Sequence, residues 1–170
     1  MDLGFVRRTD LAVARVGFRV TPRLALATNP LQWGEDVVAF GFPQTPDTID
    51  PNTREKRIET HARVFKGYVT RLIYGEYRHD TVVELAMPAP EGMSGGPLFR
   101  VQRGPGEPFE CTGVIFGERI HPTPDGELRF GNALRLDTLR NARAEATDGL
   151  PLAEYLARSA LDPGTDDSSL

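Results

Sequence analysis

The chain has 170 residues, 39% of them apolar and 26% charged, which is ordinary globular usage with enough material for a buried core. A net charge of −4 and a pI near 5.4 remove the basic footprint that nucleic-acid binding needs, so nucleic acid is not an expected partner. A single cysteine, Cys111, excludes an intrachain disulfide framework and a multi-cysteine zinc site.

The runs 11–16 and 18–20 are short, valine-rich and bounded by Gly17 and Pro22, and they predict strands. Residues 21–33 carry Pro22, Asn29 and Pro30 without a clear period and suit a connector. A strand is predicted over 35–40, stopped by Gly41-Phe42-Pro43. Residues 44–57 are polar, hold Pro46 and Pro51, and read as a surface loop long enough for a functional role. Strands follow over 64–74, 81–87, 97–101, 109–116 and 128–136, with turn residues at each break. Many short strands without helical periods between them predict an all-β barrel or sandwich. From Leu136 onward, leucines in an alanine- and arginine-rich context predict one or two terminal helices, and the acidic tail 162–170 is expected to be disordered. No apolar run approaches the roughly 20 residues that span a bilayer, and the first residues lack the basic-then-apolar order of a secretory signal, so a cytoplasmic protein with no membrane partner is expected.

Between the predicted strands 81–87 and 97–101 lies Glu91-Gly92-Met93-Ser94-Gly95-Gly96-Pro97-Leu98. Glycines on both sides of Ser94 let the chain reverse sharply, adopt positive φ and leave amide N–H groups facing a bound carbonyl, which is how a serine nucleophile is presented. A plain hairpin turn needs one or two such residues, and this loop has three glycines and a proline. Gly-x-Ser-x-Gly also matches the nucleophile elbow of α/β-hydrolases, but there a helix follows the serine, and here an apolar strand is predicted.

Gly92-Met93-Ser94-Gly95-Gly96-Pro97 resembles the nucleophile motif of trypsin-like serine proteases of the chymotrypsin fold. Other segments are similar, in the same order, to the bacterial Deg-type branch of that family. Thr9-Asp10-Leu11-Ala12-Val13 resembles the strand that carries the acid of the triad, residues 34–43 the strand opening the second barrel, and residues 66–70, 113–117 and 130–134 later strands of that barrel. The resemblance implies an all-β, chymotrypsin-like fold with a complete second barrel, a partial first barrel and a C-terminal helix. It divides the chain into a first-barrel remnant (1–22), a connector (23–33), the second barrel with its nucleophile loop (34–140), a helical segment (141–161) and a tail (162–170).

The resemblance also implies roles. Ser94 is the nucleophile, and the amides of Gly92 and Ser94 form the oxyanion hole, where fixed donors meet the developing charge. Asp10 orients and stabilises the imidazolium, although alone it reads equally as a solvent-facing acid at a strand start. Residues Phe116-Gly117-Glu118 pair with an extended substrate by strand addition. Met93 stands where digestive enzymes carry an aspartate, which argues against activation by a newly cleaved N-terminus. Pro88, Ala89, Glu91 and Gly131 outline an apolar pocket for the residue before the scissile bond, with Glu91 and Glu118 able to favour a basic neighbour.

The pattern breaks at the general base. The family's base is a histidine well upstream of the acid, and the nine residues before Asp10 contain none, so the expectation is either a truncated N-terminus or a catalytically disabled relative. His61, His79 and His121 read as exposed strand-end or loop histidines. The histidines and the cysteine lack metal-ligand spacing, and the glycines are not followed by the lysine and hydroxyl residue of a P-loop, so no metal or cofactor is expected. Two functions compete: a serine endopeptidase acting on a peptide or protein substrate through an acyl-enzyme on Ser94, and an inactive, protease-like module that binds peptides.

Overall fold

The computed structural model describes residues 2–5, 12–15, 25–43, 48–54, 56–57, 61–74, 82–101, 104, 110–143 and 147–155. The chain divides into two compact units, Pro22–Asp137 and Met1–Thr21 together with Thr138–Leu170. In the second of these, β1 (Asp2–Phe5) runs antiparallel to β2 (Ala12–Arg15) with Leu3 opposite Ala14. The first has a short β3 (Ala25–Leu26), then β4 (Asp36–Gly41), a small ribbon of β5 (Thr48–Ile49) and β6 (Lys56–Arg57), β7 (Arg63–Ile73), β8 (Val82–Leu85), β9 (Pro97–Arg100), β10 (Glu110–Thr123) and β11 (Gly126–Arg135).

Strands β4, β7, β8, β11, β10 and β9 are each antiparallel to the next, and β9 returns to β4, so six strands close into a barrel with no open edge at the seam. The all-β, chymotrypsin-like expectation holds. Alternation explains why these segments are strands: on β4, Val37, Ala39 and Gly41 face inward while Val38 and Phe40 are half-covered. All six strands contribute to one core, through Val37, Ala39, Val69, Val83, Leu85, Leu98, Ile115 and Ala133, each no more than 1% exposed. β8 is buried on both faces, which is why its Val82-Val83-Glu84-Leu85 reads as a nearly continuous apolar run.

Several segments differ from their sequence reading. Residues 23–33 are not wholly irregular, because β3 adds to the barrel parallel to the start of β10. The polar stretch 44–57 contains the β5–β6 ribbon, whose turn is organised by the Asp50 carboxylate accepting from the N–H groups of Asn52 and Thr53. β10 and β11 run on past residue 116 into a long hairpin arm with Pro122 and Pro124 near its tip, beyond the strand predicted over 109–116. Among the described residues after Leu136, helical structure is a 3₁₀ turn, Asp137–Asn141, a 3₁₀ position at Thr147 and one turn over 152–155. No helix among the described residues is long and apolar enough to cross a membrane.

The connector and the barrel are joined by buried charge. Arg100 on β9 donates through Nε to Glu35, through Nη1 to Glu110 at 2.9 Å, and through Nη2 to the carbonyls of Asn29 and Pro30 at 3.3 Å. Glu35 in turn accepts from the Gln32 N–H at 2.8 Å. Removing the cation strands a carboxylate that is only 7% exposed. Arg100→Met is therefore expected to destabilise the fold by about 3–5 kcal/mol, measured by urea unfolding, and a loss below about 1 kcal/mol would show the pairing to be dispensable.

Cys111 lies on β10 with its side chain in the barrel wall, and burial pushes its thiol pKa up, against the smaller opposing effect of backbone hydrogen bonding at Gly113 and Leu98. A raised folded-state pKa means that the unfolded chain ionises first, so stability is held below about pH 8.5 and falls as the pH rises beyond it. The native thiol is expected to resist an aromatic disulfide reagent at pH 8 until denaturant is added. Cys111→Ala is expected to lose less stability than wild type between pH 8 and 10, read by thermal unfolding.

Candidate active site

The loop joining β8 to β9 is built from two successive turns, in which the Met93 N–H donates to the Pro90 carbonyl at 3.0 Å and the Gly96 N–H to the Met93 carbonyl at 2.9 Å. Gly92 and Gly95 have φ of 90° and 86°, the left-handed region that a side chain disfavours. Met93, between them and Ser94, is 1% exposed and belongs to the barrel core. Its sulfur fills the space beside Gly41, where an added Cβ would lie 2.6 Å away. Gly96 lacks a side chain for a similar reason, since a Cβ there would sit 2.8 Å from the Met93 carbonyl oxygen and collide with that of Phe40.

With Met93 held inward, Ser94 is turned outward and is exposed. The loop is then lashed to β10: the Gly95 N–H donates to the Ile115 carbonyl at 2.8 Å, and the Ile115 N–H to the Gly96 carbonyl at 2.9 Å. The amides of Met93, Gly95 and Gly96 are thus all engaged, whereas those of Gly92 and Ser94 reach no carbonyl among the described residues. Both of these residues are exposed. The strand Pro97–Arg100 follows the serine instead of a helix, which excludes the hydrolase elbow.

The segment 116–118 begins where the loop is attached. β9 pairs with β10 only as far as Val114, and beyond Ile115 no described strand occupies the edge of β10 opposite β11. Phe116 forms a bulge, the pairing passing from Ile115–Ala133 to Gly117–Asn132. Glu118 has a further function that the sequence did not reveal. One carboxylate oxygen accepts from the Ala89 N–H at 2.9 Å and the other from Arg129 at 3.1 Å, leaving the side chain 12% exposed. Glu91 is exposed, Pro88 is exposed, and Ala89 is 6% exposed against Gly131.

His121 is not in a loop; it lies on β10 opposite Leu128, with its ring edge-to-face against Phe130 at 5.5 Å. His61 is exposed just ahead of β7. Asp10 and His79 lie outside the described residues. Among the described residues no three His, Cys, Asp or Glu side chains are grouped to hold a metal ion. The inward anchor Met93 and the Glu118 bridge are what sequence reasoning missed. Neither has a periodic or motif signal, because each depends on a partner brought in by the closed barrel.

Comparison with known families places these features together. Residues 2–105 match the family described as trypsin-like peptidase domain, a span of more than half of the chain that runs from β1 through β9 and includes the Ser94 loop. No curated protein matches the chain. β10 and β11 lie beyond the matched span, yet they complete the same cylinder and carry the Ile115 attachment. The chain belongs to the trypsin-like peptidase domain family.

Proposed function

We propose that this protein is a serine endopeptidase in which Ser94 is the nucleophile, and the observation that carries this reading is the exposed Ser94 on a loop locked to the barrel wall, with the amides of Gly92 and Ser94 bonded to no carbonyl among the described residues. A peptide lies extended along 116–118 and presents its carbonyl to the amides of Gly92 and Ser94. Oγ of Ser94 adds to the carbonyl carbon while its proton passes to a general base, and the oxygen that becomes negative is met by the two N–H donors, each worth about 3–4 kcal/mol in the transition state. The base returns the proton to the departing amine as the peptide bond breaks, leaving an ester on Ser94 that water hydrolyses. Family resemblance assigns the base to a histidine ahead of the acid at Asp10, a role that residues 1–9 do not fill, and the roles it leaves to this chain are those of Ser94, Gly92 and the edge.

A fluorophosphonate probe tests the nucleophile directly, because it phosphonylates an activated serine and releases fluoride. Labelling of wild type and its loss in Ser94→Ala are the expected results, with Ser94→Ala also losing peptide hydrolysis by orders of magnitude. Wild type that stays unlabelled while it still binds extended peptides through β10 would instead identify a non-catalytic peptide-binding module on the same barrel.

A further inference from the structure

The outer half of the β10–β11 arm carries a second edge, on β11. β8 pairs with β11 only over Gly131–Leu134, and no described strand lies beside 126–130 on that side. The direction of the backbone groups there follows from Gly131, whose N–H points away from β10 to the Met87 carbonyl at 2.7 Å. The register with β10 runs without a break from Gly117–Asn132 to Thr123–Gly126. Alternation therefore turns the N–H and C=O groups of Glu127 and Arg129 to the same outer edge as those of Gly131, and the groups of Leu128 and Phe130 toward β10. Side chains along this edge are in water: Leu128 is 53% exposed, and the side chains of Glu127 and Arg129 are 52% and 48% exposed. Glu127 and Arg129 share one face and bond each other at 2.9 Å, while Leu128 lies on the other face with its register partner His121.

We propose that this edge is a self-association surface, on which β11 of a second copy of the chain pairs antiparallel about a two-fold axis through Leu128. The outward groups and the charges together select that register. A two-fold pairing in which outward groups meet outward groups can be centred on residue 127, 128 or 129. Centring on 127 sets Glu127 against Glu127. Centring on 129 sets Arg129 against Arg129 and calls on the Gly131 N–H, which the Met87 carbonyl already holds. Like charges directly opposite destabilise a sheet, whereas opposite charges and apolar pairs stabilise it. Centring on Leu128 sets each Glu127 opposite the other copy's Arg129, and each such pair exchanges two backbone hydrogen bonds. The charges then alternate in sign on one face. On the other face the two Leu128 side chains meet in a non-hydrogen-bonded pair, the closer of the two antiparallel spacings, and cover each other from water. A second copy is the occupant because the order glutamate, leucine, arginine complements itself when one strand is reversed. The strands run β10, β11, β11, β10 across the pair, so the edge of β10 at 116–118 takes no part in it.

Sedimentation velocity tests the proposal on the 170-residue protein at low salt. Over about 5–500 μM the mass is expected to rise from the 18.8 kDa monomer toward twice that value, because an interface this small makes a weak, reversible dimer. Leu128→Glu and Leu128→Lys each place like charges face to face at the axis and are expected to remain monomeric, while an equimolar mixture of the two regains the dimer. Leu128→Cys gives a second readout, since the spacing of a non-hydrogen-bonded pair suits a disulfide and Cys111 is buried away from it. Under mild oxidation Leu128→Cys is expected to cross-link about tenfold faster than Ile120→Cys, a position of similar exposure on β10. A monomer at every concentration would overturn the proposal. So would a dimer that survives in both charged variants, a mixture that fails to reassociate, or equal cross-linking at 120 and 128.

Discussion

Two hydrogen bonds, Gly95 N–H to the Ile115 carbonyl and Ile115 N–H to the Gly96 carbonyl, are the constraint on which the rest of this protein turns. They lie where the pairing of β9 with β10 gives out, so they continue the barrel wall by other means. On one side they fix the chain that carries Ser94. On the other they fix Ile115, beyond which no described strand pairs with the edge of β10 opposite β11. A loop of glycines would otherwise have the highest conformational entropy of any part of the chain. Attachment to a barrel strand and burial of Met93 offset that entropy, and the outward direction of Ser94 follows from the inward direction of its neighbour.

The barrel keeps several ionisable groups away from water, and in each case pairing accompanies burial. Glu35 and Glu110 share Arg100, Glu84 holds Arg71 and the Thr70 hydroxyl, and Arg135 forms a two-pronged pair with Asp137 at 3.0 and 2.6 Å. The hydrogen bonds that Arg135 donates to Asp137 raise its guanidinium above the ordinary arginine pKa, ahead of the opposing effect of its burial. The Arg100 and Arg135 pairs sit at strand ends and connectors, whereas Arg71 and Glu84 are register partners within the β7–β8 ladder. Asn132 is the exception: its side-chain oxygen is buried without a hydrogen-bond partner among the described residues, on the strand that also carries Gly131.

The Gly131 and Glu118 pair shows how a barrel common to a family acquires an individual character. The glycine lets the segment 87–89 pack directly against β11, and the Glu118 side chain from the neighbouring strand bonds that segment at the Ala89 N–H. The Glu118 carboxylate thereby ties β10 to the chain that leads into the Ser94 loop. The exposed hairpin arm joins this arrangement through Arg129, which bonds the inner Glu118 and the outer Glu127 at once.

Most of the strands were legible from residue order alone, because period-two alternation and turn residues are local signals: β4, β7, β8, β9 and the inner halves of β10 and β11 fall where they were predicted. The Ser94 loop was legible too, since only glycine tolerates the backbone at positions 92 and 95. The prolines near the tip of the β10–β11 arm hid its outer half, and the paired β1 had too short an apolar signal to be read. What the sequence by itself determined was therefore the all-β class and the presentation of one serine. Tertiary structure alone decided that Met93 points into the core, that Arg100 answers Glu35 across 65 residues, and that Glu118 closes on Ala89 across 29. The physical reason is that alternation and turn chemistry act between neighbours along the chain, whereas a buried charge or a filled recess is defined only by what the closing of the barrel brings beside it.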